Sequence, residues 1–319
     1  MIGIIGAGAF GTALAVVQGL SGRPVLLLAR DPAAADALRR SRQAPRLPGM
    51  ILPETVSVTA EISDLAGCAT VLLAVPMQAL RGTLQQHAAV LDGRRLVACC
   101  KGIDLETLQG PTAMIQRICP AASAMVLTGP SFAADIAGQL STALTLAGTD
   151  GDATLAAQAD IAVPSLRIYR NRDVLGAELG GALKNVIAIA SGAAMGQGLG
   201  ESARAAVMTR GFAEIRRFAA DLGAQPETLM GLSGFGDLVL TCTSLQSRNY
   251  RFGLALGREE AFDPTVTVEG VATARAVARL AGARGVEMPI TAMLVDLFDH
   301  KTSIAEAIQS LLSRPLKEE

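Results

Sequence analysis

The first half of the chain alternates short apolar runs with longer segments in which polar residues recur at helical spacing. The apolar runs predict β-strands at residues 2–5, 24–29, 70–75, 95–100, 124–129 and 141–147. Helix-like segments lie between several of them, at residues 11–20, 32–42, 78–90 and 106–118. Strands that are apolar almost throughout and are separated by helices are typical of a parallel sheet covered on both faces. The pattern therefore predicts an α/β domain with a doubly wound, mainly parallel sheet.

The pattern changes near the sequence YRNRD at residues 169–173. Beyond it the chain consists of helical segments rich in Gly and Ala, with few strand candidates. Because alternating strands and helices give way to helices alone, we predict two domains, residues 1–172 and residues 173–319. The second of these is predicted to be all-α.

Composition and charge limit the classes of partner. A length of 319 residues and a hydrophobic fraction of 50% supply enough material for a large core. The formal net charge of −1 provides no electrostatic attraction for nucleic acid or for an anionic membrane. Five cysteines without a CxxC spacing and only two histidines argue against a Cys/His zinc site, so we expect no metal. Reduced thiols in a cytoplasmic protein are the expectation that follows.

The apolar N-terminus, MIGIIGAGAFGTALAVVQGL, has the length of a signal peptide or a membrane span. It lacks the positively charged segment that opens a signal peptide. Its five glycines suit a strand, a turn and a helix better than a membrane helix. No other run reaches the roughly 18 uninterrupted apolar residues that a span needs. We therefore expect no stable membrane insertion.

Gly6, Gly8 and Gly11 form the pattern GxGxxG between the first predicted strand and the first predicted helix. In this pattern the first glycine permits a tight turn, and the second lets the backbone approach a pyrophosphate. The third allows close packing of helix on strand, and the helix N-terminus offers N–H groups to the anion. The motif therefore predicts a Rossmann-type dinucleotide site.

The end of the second predicted strand bears on the choice of dinucleotide. NAD-preferring sites commonly have Asp or Glu at this strand end, where it binds the ribose hydroxyls. Here the strand ends in Ala29, Arg30 and Asp31. An arginine there can pair with a 2′-phosphate, which favours NADP over NAD. The alternative is that Arg30 is a loop charge and Asp31 a helix cap before Pro32.

The segment LGGALKNVIAIASG at residues 179–192 is apolar and carries one charge, Lys184. Burial of an ammonium costs free energy or lowers its pKa, and a lysine of lowered pKa can exchange a proton with a substrate oxygen. The alternative is a lysine whose stem packs while its ammonium reaches water. His87 and His300 lie in polar stretches, so Lys184 is our candidate for proton transfer. Of the other three lysines, Lys301 and Lys317 lie in a polar tail.

The remaining lysine and several polar residues are candidates for substrate binding. Lys101 follows a predicted strand in CCKGID, at the strand end where open α/β sheets bind ligands. Ser131 follows another strand end and a Gly-Pro turn, and Asp237 is a candidate counter-ion for Lys184. The run Ser247–Asn249 supplies donors of the kind that a phosphate accepts. The alternative for this run is a surface loop with a capping serine.

Segments spread over nearly the whole chain resemble the bacterial NAD(P)-dependent sn-glycerol-3-phosphate dehydrogenases. They are GAGAFGTALA (6–15), AVPMQALR (74–81), KGID (101–104), GPSFAADIA (129–137), ELGGALKNVIAIASG (178–192), TRGFAEI (209–215), GFGDLVLTCTSLQSRNYRFG (234–253) and VEGVATA (268–274). The blocks GALKN and GDLVLTCT with QSRN are much more specific than a glycine motif, and they occur in the family's order.

The resemblance implies interconversion of dihydroxyacetone phosphate and sn-glycerol 3-phosphate by hydride transfer with NADP or NAD, which supplies glycerol 3-phosphate for phospholipid synthesis. It implies that Lys184 accepts the proton in the oxidation and donates it in the reduction. The residues it places at the substrate are Lys101, Gly129, Ser131, Lys184, Asp237, Ser247, Arg248 and Asn249. Those it places at the cofactor are Gly6, Gly8, Ala9, Phe10, Gly11, Arg30, Lys101, Ala133, Arg248, Thr267 and Glu269.

Two segments depart from the family pattern. Glu201 and Ser202 stand where the family commonly has a small residue and Asn. Residues 258–267 form a shorter segment than usual, and Thr267 stands where Val is common.

Two other functions fit the same two-domain plan. One is a related 3-hydroxy-acid dehydrogenase, for which the phosphate-suited run Ser247–Asn249 would have no use. The other is a protein that senses NAD(P) without turnover, which would not need the proton-transfer candidate Lys184. The assembly state is left open by the sequence, with a homodimer as one option.

Overall fold

The computed structural model describes residues 1–307; residues 308–319, with Lys317 and the end of the predicted C-terminal domain, lie outside the described part. The strands are β1 (Ile2–Ile5), β2 (Val25–Leu28), β3 (Val56–Thr59), β4 (Thr70–Leu73), β5 (Arg95–Ala98), β6 (Ser123–Thr128), β7 (Thr142–Gly148) and β8 (Leu166–Asn171). The first helices are α1 (Ala9–Leu20), α2 (Pro32–Ser41), α3 (Met77–Leu91), α4 (Pro111–Ile118), α5 (Ala133–Ala137) and α6 (Gly151–Ile161). The later ones are α7 (Val174–Gly196), α8 (Gly200–Asp221), α9 (Pro226–Met230), α10 (Asp237–Thr243), α11 (Arg248–Gly257), α12 (Glu269–Arg284) and α13 (Pro289–Phe298).

The strands form one sheet in the order β3-β2-β1-β4-β5-β6-β7-β8. Neighbouring strands are parallel except β6 and β7, which run antiparallel. Side chains of a strand alternate between the two faces, and both faces are buried here. Ile4 lies in one core with Leu14 of α1, whereas Ile5 lies in another with Leu80 of α3. The strands β1, β2 and β4 are buried along their whole length because neither face of the sheet meets water there.

The six predicted strands are all present, and the structure adds two more, β3 and β8. Both are edge strands of the sheet. In β8 the side chains of Arg167 and Tyr169 are exposed while Leu166 and Ile168 are buried. An edge strand with one exposed face alternates in polarity, so β8 has no continuous apolar run that marks it as a strand in the sequence. The helix predicted from residue 106 begins only at Pro111, the residue at its first helical position.

Two compact units divide the chain. The sheet unit comprises Met1–Asp104 and Gln109–Glu178, and the helical unit comprises Leu105–Leu108 and the described residues from Leu179 onward. The fold is thus a Rossmann-type, mainly parallel α/β sheet unit followed along the chain by a helical unit. Helix α7 begins in the first unit and continues in the second.

Among the described residues, Val174–Gly196 is the one helix long and apolar enough to cross a membrane. However, 83% of its most apolar window is buried inside the protein. A soluble protein's core helix has the same apolar composition because other helices surround it. The burial is therefore consistent with a soluble protein.

Candidate active site

The glycine loop of the sheet unit connects β1 to α1. Gly6 has a φ of +111°, which other residues rarely adopt. A Cβ on Gly11 would lie 2.0 Å from the carbonyl oxygen of Gly6, so this position must be glycine for the loop to close. A Cβ on Gly8 would meet no atom within 4 Å. The protein's own packing does not require glycine there, but a pyrophosphate approaching the backbone at the start of α1 would.

The start of α1 is also suited to bind a pyrophosphate. Gly8 is the N-cap residue, no side chain caps the helix, and its first turn holds no acidic residue. Ala9 and Phe10 are the first helical residues and are both half-buried. The N–H groups of a helix start and its dipole attract anions. The residues present therefore fit a bound dinucleotide.

The end of β2 separates the roles of Arg30 and Asp31. Asp31 is the N-cap of α2, and its Oδ1 accepts the N–H of Ala34 at 2.8 Å. Arg30 is exposed. The carboxylate is thus engaged with its own helix, as one reading of the sequence expected, while the guanidinium is available to an anionic ligand.

Lys101, Gly129 and Ser131 lie together in the sheet unit. The ammonium of Lys101 donates to the carbonyl oxygen of Gly129 at 3.4 Å, and the hydroxyl of Ser131 donates to the same oxygen at 3.3 Å. Gly129 has a φ of +137° directly after β6. Ala133 begins the short helix α5 nearby in the chain. The structure thus collects the predicted polar residues of this unit at the ends of neighbouring strands, β5 and β6.

In the helical unit, Lys184 is buried, with a relative exposure of 5%. Its ammonium donates to the carboxylate of Asp237 and to the hydroxyl of Thr241, the latter at 2.7 Å. Asp237 is the first residue of α10 and is completely buried. The ammonium of Lys184 therefore does not reach outward to water, and Asp237 is its counter-ion.

Thr241 is a residue that the sequence reasoning missed. It lies four residues after Asp237 on α10, and its hydroxyl also approaches the Asp237 carboxylate at 3.3 Å. Residues spaced i, i+4 share one face of a helix. The spacing of four residues from Asp237 is the sequence feature that indicates Thr241, because a residue on the same helix face as the counter-ion also faces Lys184.

Glycines hold α11 directly against α7. A Cβ on Gly192 would lie 2.1 Å from the carbonyl oxygen of Tyr250, and one on Gly253 would lie 2.0 Å from that of Ile189. One turn further along, a Cβ on Gly196 or Gly257 would lie 2.4 or 2.3 Å from a carbonyl oxygen of the facing helix. The glycines let the two backbones touch, which fixes the start of α11 relative to the helix that carries Lys184.

The run Ser247–Asn249 forms the N-terminus of α11. Ser247 is the N-cap, and its hydroxyl oxygen accepts the N–H of Tyr250 at 3.2 Å. Arg248 is exposed, whereas Asn249 is buried and its Oδ1 accepts the N–H of Gly270 at 2.9 Å. The capping serine and the donor cluster are thus the same structure: a helix start that presents N–H groups, a hydroxyl and a guanidinium.

The hydrogen bond from the N–H of Gly270 to Asn249 places the start of α12 beside the start of α11. Glu269 is the first residue of α12 and is half-buried, and Thr267 precedes it and is exposed. The predicted cofactor residues Thr267 and Glu269 therefore lie beside the predicted substrate residue Asn249 within one unit. Glu201, which departs from the family pattern, pairs with Arg204 on α8, and Arg204 in turn reaches the Tyr250 hydroxyl at 3.4 Å.

The thiols and imidazoles are poor candidates for the chemistry. All five cysteines are free and buried, and burial raises the pKa of Cys99 and of Cys242 to about 12. A thiol of such a pKa is inert at neutral pH. Burial lowers the pKa of His87, which lies on α3, and His300 is exposed. Among the described residues no cluster of His, Cys, Asp and Glu could hold a metal ion.

Comparison with known proteins gives consistent results for both units. The family model described as the NAD-dependent glycerol-3-phosphate dehydrogenase N-terminus matches residues 1–154, and the corresponding C-terminus model matches residues 173–309. The chain is similar to the glycerol-3-phosphate dehydrogenase (NAD(P)+) of Cereibacter sphaeroides, with 60% identity and all of both chains covered. It is 57% identical to that of Paracoccus denitrificans, with 100% of this chain and 99% of the relative covered.

A solved structure agrees with these relatives. The crystal structure of glycerol-3-phosphate dehydrogenase from Coxiella burnetii superposes with a TM-score of 0.92 at 34% identity, and 98% of each chain is covered.

Proposed function

The chain belongs to the NAD-dependent glycerol-3-phosphate dehydrogenase family, and on that premise we propose its reaction and the roles of its residues. It interconverts dihydroxyacetone phosphate and sn-glycerol 3-phosphate with NAD(P)H and supplies glycerol 3-phosphate for phospholipid synthesis. The relatives and both family models argue against the two alternatives, a 3-hydroxy-acid dehydrogenase and a non-catalytic sensor of NAD(P).

The observation that carries the proposal is the buried group of Lys184, Asp237 and Thr241. A nicotinamide bound to the protein would supply the hydride for the ketone carbon. As the carbonyl oxygen gains negative charge, the ammonium of Lys184 gives it a proton, and the hydroxyl of sn-glycerol 3-phosphate results. In the oxidation Lys184 takes the hydroxyl proton. A positioned acid–base group of this kind contributes about 10²–10⁴-fold to the rate.

Asp237 and Thr241 hold the ammonium in place for this step. The carboxylate stabilises its positive charge, and the threonine oxygen fixes a second direction of its N–H bonds. A proton donor with two fixed partners loses little entropy when the substrate arrives. Both are therefore positioning groups as well as part of the substrate's surroundings.

The phosphate of the substrate binds at the start of α11. Ser247, Arg248 and Asn249 offer a hydroxyl, a guanidinium and an amide there, and the helix dipole adds to their attraction. In the sheet unit, Lys101, Gly129 and Ser131 are the further substrate contacts that we propose. The division into a dinucleotide-binding domain of residues 1–172 and a substrate domain of residues 173–319 is proposed with them.

The cofactor binds at Gly6, Gly8, Ala9, Phe10 and Gly11. Lys101, Ala133, Arg248, Thr267 and Glu269 are its further proposed contacts. NADP is the favoured form because Arg30 is exposed at the end of β2, while the Asp31 carboxylate is occupied as a helix cap.

Arg30→Ala should reduce kcat/KM with NADPH more than with NADH. Equal losses with both cofactors would exclude a contact of Arg30 with the 2′-phosphate.

We further propose a cytoplasmic protein that binds neither nucleic acid nor membrane stably. Its net charge of −1 and the burial of its longest apolar helix support this location. The sequence leaves a homodimer as one option, and sedimentation of the purified protein distinguishes it from a monomer.

The proposal is tested by the oxidation of NADPH, followed at 340 nm, with two ketones. We expect turnover with dihydroxyacetone phosphate and a much lower kcat/KM with unphosphorylated dihydroxyacetone, since the second makes no contact at the start of α11. Comparable kcat/KM for the two ketones would remove the phosphate assignment. A 3-hydroxy acid with NADP tests the alternative dehydrogenase.

A further inference from the structure

We propose that the ion pair between Arg81 and Asp104 positions Lys101, so that Arg81 controls the reaction through Lys101 without touching substrate or cofactor. The inference rests on the role proposed above for Lys101. It concerns the loop that follows β5, residues 99–104, which we call the lysine loop.

Three contacts from the first turns of α3 hold the lysine loop. The guanidinium of Arg81 pairs with the carboxylate of Asp104, whose side chain is only 6% exposed. The side-chain amide of Gln78 donates to the carbonyl oxygen of Ile103 at 3.0 Å. The thiol of Cys100 lies 3.8 Å from the sulfur of Met77. One short stretch of helix thus contacts the loop on both sides of Lys101.

The backbone of the loop is also under constraint. Gly102 has a φ of +123°, in the region that favours glycine, and it lies directly after Lys101. The N–H of Asp104 donates to the carbonyl oxygen of Gln109 at 3.0 Å, which fixes the far end. With both ends held, the ammonium of Lys101 is directed at the carbonyl oxygen of Gly129, the first residue after β6.

The ion pair has the properties of a positioning device. A loop gains little stability from its own short contacts, so the direction of a long lysine side chain depends on how the loop backbone is held. Asp104 is buried and Arg81 is mostly covered, which strengthens their attraction relative to an exposed pair. A misplacement of about 1 Å in a group that contacts the reactants can cost about 100-fold in rate.

The chain offers a matched control on the same strand. Arg95, at the opposite end of β5, pairs with Asp160 at 3.0 Å and donates to the hydroxyl of Thr70 at 2.8 Å. This pair also joins separate elements of the sheet unit, with a comparable exposure of the arginine. Loss of Arg95 should lower thermal stability without moving Lys101.

The test is a double-mutant cycle on kcat/KM for dihydroxyacetone phosphate. Arg81→Met should reduce kcat/KM about 10- to 100-fold, and Arg81→Lys, which retains the charge, should restore most of it. In a Lys101→Met background, Arg81→Met should have little further effect, because the residue that it positions is already gone. Arg95→Met should lower Tm but leave kcat/KM within about twofold of the wild type.

The proposal would be overturned if the double variant lost kcat/KM by the product of the two single losses. An unchanged kcat/KM in Arg81→Met would also overturn it. If Arg81→Met does not fold, Gln78→Ala removes a different tether and should show the same non-additivity with Lys101→Met at a smaller amplitude. A Lys101→Met protein with full activity would refute both this inference and the proposed role of Lys101. A wild type without activity on dihydroxyacetone phosphate would refute the proposed function itself.

Discussion

At the scale of single residues, the environment of Lys184 decides what its removal does. The ammonium lies between Asp237, which is completely buried, and Thr241. Removal of one member of a buried ion pair leaves the other charge in a medium that solvates it poorly. A substitution here therefore acts on stability as well as on chemistry, and the two effects need separate measurements.

Lys184→Met should lower kcat about 10²–10⁴-fold, the usual loss for a general acid–base group. It should also cost about 3–5 kcal/mol of stability because the Asp237 carboxylate loses its counter-ion. NADPH affinity should stay near the wild-type value. The double variant Lys184→Met with Asp237→Asn should regain stability without regaining activity. Lys184→Arg should not rescue kcat, since a guanidinium holds its proton at neutral pH. A folded Lys184→Met protein with a tenth of the wild-type kcat would refute the assignment.

Arg248 offers a cleaner test because it is exposed at the start of α11. Arg248→Ala should raise KM for dihydroxyacetone phosphate through the loss of a charge-assisted contact worth about 1.5–3 kcal/mol. Arg251, exposed on the same helix, is the matched control, and Arg251→Ala should leave KM near the wild-type value. Steady-state kinetics measures both. Equal KM values for the two variants would remove Arg248 from the phosphate site.

At the scale of elements, the glycines between α7 and α11 set the geometry of the helical unit. Gly192 and Gly196 on α7 face Gly253 and Gly257 on α11 at backbone contact. The first helix carries the proton-transfer candidate, and the second begins with the proposed phosphate contacts. Proton transfer at α7 and phosphate binding at α11 thus both depend on the distance between these two helices. A side chain in place of any of the four glycines would increase that distance.

Gly253→Ala should destabilise the protein, because its Cβ would lie 2.0 Å from the carbonyl oxygen of Ile189 and overpacking typically costs about 1–3 kcal/mol. It should also raise KM for dihydroxyacetone phosphate as the start of α11 shifts. Gly282 on α12 is the control, since a Cβ there meets no atom within 4 Å. Gly282→Ala should be neutral or stabilising by about 0.5–1 kcal/mol. Urea unfolding and KM are the measurements, and identical behaviour of the two variants would contradict the packing argument.

At the scale of the whole molecule, one carboxyl group links stability to pH. Glu178 on α7 accepts hydrogen bonds from the N–H and the hydroxyl of Thr112, at 2.8 and 2.7 Å, at the start of α4. Burial raises the pKa of Glu178 from 4.5 to about 7, although both hydrogen bonds favour the charged form. The folded protein therefore holds this proton more tightly than the unfolded chain does.

Because the folded state binds the proton more tightly, Glu178 should contribute stability at low pH that is lost as pH rises from about 4.5 to about 7. Glu178→Gln keeps the size of the side chain and removes the titration. The midpoint of urea unfolding, measured from pH 5 to pH 8, should fall with pH more steeply for the wild type than for Glu178→Gln. Parallel pH profiles would show that Glu178 titrates alike in the folded and unfolded chains.

The sequence by itself determined the parts that depend on local spacing. The central strands follow from continuous apolar runs, the glycine loop from GxGxxG, and the importance of Lys184 from one charge in an apolar helix. Each signal lies within a few residues, because strand burial, loop closure and helix periodicity are properties of neighbouring positions. The resemblance to a family also depends on local signals, because short sequence blocks in a fixed order carry it.

Only the tertiary structure decided which distant residues meet. Thr241 joins Lys184 from 57 residues away, Arg81 reaches Asp104 across 23, and Asn249 accepts the N–H of Gly270 across 21. The edge strands β3 and β8 became recognisable through their pairing in the sheet. Such contacts depend on how helices and strands pack, and sequence spacing does not encode the packing of separate elements. The residue types in the sequence thus predicted the chemistry of the candidate site, while the fold determined the contacts that hold those residues in place.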